Sequence, residues 1–151
     1  MRTILINERQ IRLLGEGLND SQDIDYDLRK SIAVWCLMND FRFYNPKRLI
    51  GRGTSVANDD ETQMEIVRMI MNAHTVSECD EKKMYFGYYD EDMNGMRIYK
   101  VETSNDTIYI EVADYISNYD ADEICQKFDN DDIDNSKWYY DNLKWFVNNF
   151  C

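Results

Sequence analysis

The apolar residues of this chain change their spacing twice, and that change limits the fold more than any other feature. Between Asp27 and Ala73 they recur at helical intervals, from Lys82 to about residue 113 they alternate, and from Ala121 onward they are helical again. Helical segments on both sides of a run of strands predict an α+β fold, with helices packed on one face of an antiparallel sheet.

The alternating part runs as follows. Met84, Phe86 and Tyr88 interleave with Tyr85, Gly87 and Tyr89, which predicts a strand over residues 82–89. Asn94-Gly95 is a strong hairpin-turn signal, because both residues tolerate positive φ. The return strand is Met96 to Glu102, and a turn over Thr103 to Asp106 leads into Ile108, Ile110 and Val112. The expectation is an antiparallel β-meander over about residues 82–113, with Thr3 to Ile6 available as an added N-terminal strand. In that sheet Tyr85, Tyr89, Tyr99 and Tyr109 share the face opposite Phe86, Ile98, Ile108 and Ile110, beside Arg97 and Glu111.

About five helices pack on it. Asn7, with Gln10 in capping-box position, opens the first, which ends near Gly15 or Gly17. The second runs from about Asp27 to Phe41, with Leu28, Ile32, Trp35, Cys36 and Met38 on its apolar face, and Pro46 marks the stop after it. Asp59, Asp60 and Glu61 open the third at the end where carboxylates suit the helix dipole. Met64, Val67, Ile70, Met71 and Ala73 form its buried side. The fourth covers Ala121 to Phe128. Ser136 caps the fifth, Lys137 to Phe150, whose Tyr139, Leu143, Phe146 and Phe150 fall on one face. With 151 residues and neither linker nor repeat, the chain reads as one domain over 1–151.

No apolar run approaches the roughly 20 residues that cross a bilayer. Residues 1–11 mix charge with apolar side chains and lack the apolar block of a secretory signal. Cys36, Cys79, Cys125 and Cys151 are scattered, with no Cys-x-x-Cys pair, and a chain of this size folds without staples. Four free thiols in a reducing, cytoplasmic compartment are expected. His74 is the only histidine, which argues against a structural zinc site.

Charge is the most unusual global property: 29 acidic against 17 basic residues, a net of −12. Residues 1–58 hold nine basic and seven acidic residues, whereas residues 59–151 hold eight and 22. Such a field repels nucleic acid and anionic membranes and attracts basic proteins. Abundant Asn, Ile and Tyr, with one Pro, further point to an AT-rich genome.

Three clusters invite chemistry. Asp90-Glu91-Asp92-Met93-Asn94-Gly95 resembles the opening of an EF-hand calcium loop over six residues. The position that must hold a bidentate Glu is Val101, with Glu102 one residue late, and the flanks read as strands. The run Asp129, Asp131, Asp132 and Asp134 lacks the glycine of a calcium loop and reads as dipole-stabilised carboxylates before the last helix. No metal or other cofactor is therefore expected. Lys47, Arg48 and Arg52, in the glycine-containing loop from Lys47 to Ser55, could cradle an anion or nucleotide, although no Walker-type Gly-Lys-Ser/Thr is present. No spacing selects a catalytic carboxylate pair, and the one nucleophile–base pairing on offer is Cys79 with His74.

In size, acidity and lack of catalytic motifs the chain resembles phage-encoded inhibitors of bacterial defence, such as anti-CRISPR proteins and DNA mimics. The resemblance implies a protein that acts by occlusion, imitating a phosphate backbone on the basic surface of a nucleic-acid-handling partner. It would bind neither nucleic acid nor membrane directly. The expected contact residues are Asp90, Glu91, Asp92, Asp120, Asp122, Glu123 and Asp129 to Asp134, with Tyr85, Tyr99 and Tyr109 on the outer sheet face. The competing expectation is a small enzyme or anion-binding protein built on Lys47, Arg48 and Arg52.

Overall fold

The computed structural model describes residues 23–48, 54–88, 95–118 and 120–151. The expected strand at Thr3 to Ile6, the helix opened by Asn7, Tyr89, and the cluster from Asp90 to Asn94 lie outside these residues.

The fold is α+β. Helix α1 (Tyr26–Met38) begins where the Asp25 carboxylate accepts from the Leu28 amide at 2.7 Å. It is buried along one unbroken stretch, residues 29–37, so it is a central helix and not one with a single apolar face. Even Arg29 and Lys30 are covered. Arg29 donates to the Ala73 carbonyl at 3.0 Å and pairs with Asp23 at 3.2 Å, and Lys30 reaches Asp122 at 3.1 Å. The helix stops before Phe41, earlier than its sequence suggests, because residues 41–44 form strand β1 (Phe41–Tyr44).

Strand β2 (Ser55–Ala57) pairs with β1, and helix α2 (Asp60–Asn72) follows, capped by Asp59. Its buried Gln63, Ile66, Val67, Ile70 and Met71 recur at i, i+3, i+4, i+7 and i+8, the stripe expected of a helix lying on a core. Strand β3 (Thr75–Glu78) comes next, then β4 (Met96–Glu102) and β5 (Thr107–Ala113). Helices α3 (Ala121–Asp129) and α4 (Tyr140–Phe150) end the chain. Leu143 and Phe146 of α4 are fully buried, on the face marked out by the sequence.

Among the described residues the sheet has five antiparallel strands in the order β2-β1-β5-β4-β3. Two of the three expected meander strands are present, with β4 at the expected bounds. The third is not a strand. Residues Asp80–Phe86 form a 3₁₀ helix, closed by Gly87 at φ 90°, a conformation that glycine adopts without strain. The place beside β4 is taken by Thr75–Glu78. The alternation of residues 84–88 misleads because Phe86 alone is buried there, while Met84 and Tyr85 are exposed.

Register corrects the face assignment as well. Tyr109 lies opposite Lys100, and Tyr99 opposite Ile110. Tyr99 therefore joins Val101, Ile108 and Ile110 in the helix-side core, while Tyr109 joins Ile98, Tyr44 and Phe86 in a second cluster on the outer face. Both tyrosines are buried.

Cys125 and Cys151 form a disulfide across a separation of 26 residues, tying α3 to the residue after α4. Of the four thiols expected to be free, Cys36 and Cys79 are. The free-thiol argument for a reducing compartment falls with that bond. No helix among the described residues is long and apolar enough to cross a membrane.

Candidate functional site

The densest unusual chemistry surrounds α3. Between Asp120 and Asp134 the chain places seven carboxylates and one lysine, and all seven acidic residues are exposed. At the helix start the arrangement is the expected one. The Asp120 carboxylate accepts from the amides of Asp122 and Glu123 at 2.9 and 3.3 Å, at the end where negative charge is favoured. Asp122 receives Lys30, and Glu123 lies 3.9 Å from Lys127 one turn on.

The other end is not. The Asp132 amide reaches back to the Lys127 carbonyl at 2.7 Å and the Asp131 amide to Phe128 at 3.1 Å, a Schellman closure of α3. Asp131 occupies the left-handed position at φ 56°, where glycine is the usual residue. Asp129, Asp131 and Asp132 thus crowd the negative end of a helix. None of their carboxylates has a hydrogen-bond or ion-pair partner among the described residues. Asp134 is held below the ordinary carboxylate range by the Ser136 amide and hydroxyl, at 2.9 and 2.7 Å. Ser136 is committed to that turn and does not cap α4, which begins at Tyr140. The run therefore belongs to the C-terminus of α3 rather than to the N-terminus of α4.

The outer sheet face does not provide the expected row of free tyrosines. Tyr85, 41% exposed, stacks on Tyr44 with centroids 4.5 Å apart. Lys82 lies over the Tyr85 and Tyr109 rings at 5.6 and 5.7 Å. Glu111, on this face, is buried and accepts Arg42 through two bonds of 2.8 and 2.6 Å and the Tyr88 hydroxyl at 2.7 Å. Burial, then the Glu111 carboxylate, pushes the Tyr88 hydroxyl up to about 12. These groups satisfy one another and fasten the 3₁₀ segment to the sheet.

The basic loop is only partly described. The Lys47 ammonium donates to the Asn105 carbonyl in the β4–β5 turn. The side chain of Arg48 and all of Arg52 lie outside the described residues, as do Asp90, Glu91 and Asp92. His74 and Cys79 flank β3 at its two ends, roughly 16 Å apart at strand rise, so they form no pair. Burial raises the pKa of both free thiols, which opposes nucleophilic thiolate formation.

Two concave regions adjoin the acidic surface. A cleft of about 210 Å³ is lined by Asp27, Lys30, Ser31, Asp120, Ala121 and Asp122. A wider, open notch of about 390 Å³ is lined by Met38, Asn39, Asp40, Asn58, Asp60 and Trp138. Sequence reasoning missed Asp40, Asp60 and Trp138 as a group, since three segments supply them. The one local signal is that Trp138 falls off the apolar stripe of Tyr139, Leu143, Phe146 and Phe150 in the helix expected over residues 137–150. Comparison with known protein families, curated proteins and solved structures gives no match.

Proposed function

We propose that this chain is a protein-binding inhibitor whose acidic α3–α4 surface occupies a basic, nucleic-acid-binding surface of its partner. One observation carries the reading. Asp129, Asp131 and Asp132 stand exposed at the negative end of α3 with no ion-pair partner among the described residues, the Lys127 of its last turn reaching Glu123 instead, and Asp131 holds a backbone conformation that prefers glycine. Local electrostatics and backbone preference both oppose that arrangement, and such conflicts concentrate where function requires them. A cationic surface relieves them, and a fold that has already met the cost gains on binding.

The tyrosines are not part of the contact in this reading. Tyr99 lies in the core and Tyr109 beneath Lys82. A cytoplasmic site of action would require the fold to survive reduction of Cys125 and Cys151.

The test is displacement. The partner, once captured, is loaded with a fluorescent duplex and titrated with the protein. Release of the duplex is expected, with stoichiometric loss of anisotropy. A ternary complex that keeps the duplex bound would refute occlusion.

A further inference from the structure

We infer that the notch beside Trp138 is a seat for one guanidinium or ammonium side chain, the anchor by which a basic partner engages this protein. The inference deepens the proposed function and rests on it for the identity of the partner, though not for the chemistry of the seat.

Three elements build the notch: the C-terminus of α1 with Met38, Asn39 and Asp40, the start of α2 with Asn58 and Asp60, and the turn before α4 with Trp138. Its volume of about 390 Å³ admits a side-chain head group with water around it. Trp138 is 55% exposed, the highest value among the exposed aromatic residues described. It meets Tyr139 edge-to-face, centroids 5.4 Å apart, and much of the residue remains open. An indole face is the best aromatic partner for a cation. The same chain uses that contact internally, where Arg68 lies over Trp145 at 5.3 Å.

The charged side chains described around the indole are acidic, and Asp59 and Asp60 offset the positive dipole end that α2 brings to the notch. The last turn of α1 has no basic residue, so its negative dipole end faces the notch without a cation of its own. The Asp40 carboxylate has no partner among the described residues, and Asp60 accepts a neutral amide, Asn142, at 3.3 Å. No lysine or arginine among the described residues lines the notch. The side-chain carbonyls of Asn39 and Asn58 can accept the remaining N–H groups of a guanidinium. Trp138 follows Asp134 by four residues, so the seat continues the acidic run that would steer a basic surface toward it. Carboxylates alone would attract any cation. An indole with two carboxylates and two amides selects one that is flat or weakly hydrated, arginine before lysine.

The probe is N-acetyl-arginine amide, with N-acetyl-lysine amide and neutral N-acetyl-citrulline amide beside it. The readout is the Trp138 indole N–H resonance, identified by its loss in Trp138→Phe. A saturable shift in the millimolar range is expected, at least tenfold weaker for citrulline and about fivefold weaker in Asp40→Asn or Asp60→Asn. Equal shifts with citrulline, with sodium chloride at the same concentration, or in the two Asn variants would overturn the seat. The variant in which Asp129, Asp131, Asp132 and Asp134 are all Asn separates the two proposals. It should keep the arginine titration within twofold while losing affinity for the partner. If the indole is silent yet this variant still weakens partner binding, the seat is wrong and the docking surface stands.

Discussion

Opening the Cys125–Cys151 bond gives the clearest energetic test of the fold. The two cysteines close a loop of 26 residues that contains the Asp129–Asp134 run and all of α4. In the chain-entropy treatment, cross-linking such a loop lowers the entropy of the unfolded chain by roughly 12 cal/mol/K, or about 3.5 kcal/mol at room temperature. At a urea m of about 2 kcal/mol/M, that is a fall in midpoint of roughly 1.8 M. The perturbation is the double variant Cys125→Ser, Cys151→Ser, which leaves the buried Cys36 untouched. The assay is urea unfolding followed by circular dichroism, with thiols counted in the unfolded wild type without reductant. Two reactive thiols are expected there, and a double variant that unfolds much earlier. Four reactive thiols, or coincident midpoints, would refute the bond and its role in holding α3 against α4.

Two further predictions follow from the same residues. Asp131→Gly removes a carboxylate and frees a left-handed backbone position, so it should stabilise the fold by roughly 0.5–1 kcal/mol while weakening partner binding. Thermal melts and a binding titration check the pair, and stabilisation with unchanged affinity would mean that the acidic cap has no part in docking. Tyr88 holds its proton more tightly folded than unfolded, so its contribution is complete below pH 10 and is lost as pH rises through about 12. Tyr88→Phe should flatten the alkaline fall in stability, with a remainder from Tyr99 and Tyr109, whose hydroxyls burial also raises; urea midpoints at neutral and strongly alkaline pH measure it.

What could be read in advance follows element length. Helices α2 and α4 and strands β4 and β5 each carry enough turns or alternations to declare their period. Strands β1, β2 and β3 hold three or four residues apiece and exist because a neighbouring strand pairs with them. Phe41 reads as the last residue of a helix until β5 is placed beside Phe43 and Tyr44. The tyrosine faces failed for a sharper reason. A shift of one residue in register exchanges the two faces of a strand, and the pairing of Tyr109 with Lys100 sends Tyr99 inward. The acidic clusters of α3 were visible as composition, but their electrostatic sense was not. Whether Asp129 to Asp134 ends one helix or begins the next depends on Asp131 turning left-handed. The Trp138 notch was invisible, because its six residues come from three separate segments.

The central claim is that the exposed carboxylates of α3 are the working surface, and association kinetics test it most directly. The captured partner is immobilised, and on-rates are measured across ionic strength for the wild type and for the variant with Asp129, Asp131, Asp132 and Asp134 changed to Asn. Complementary charge accelerates encounter by about 10- to 1,000-fold at low salt and is screened beyond about 8 Å at physiological salt. The wild-type on-rate should fall steeply as salt rises, and the variant should start lower and respond less. Identical on-rates with identical salt slopes in the two proteins would contradict the account.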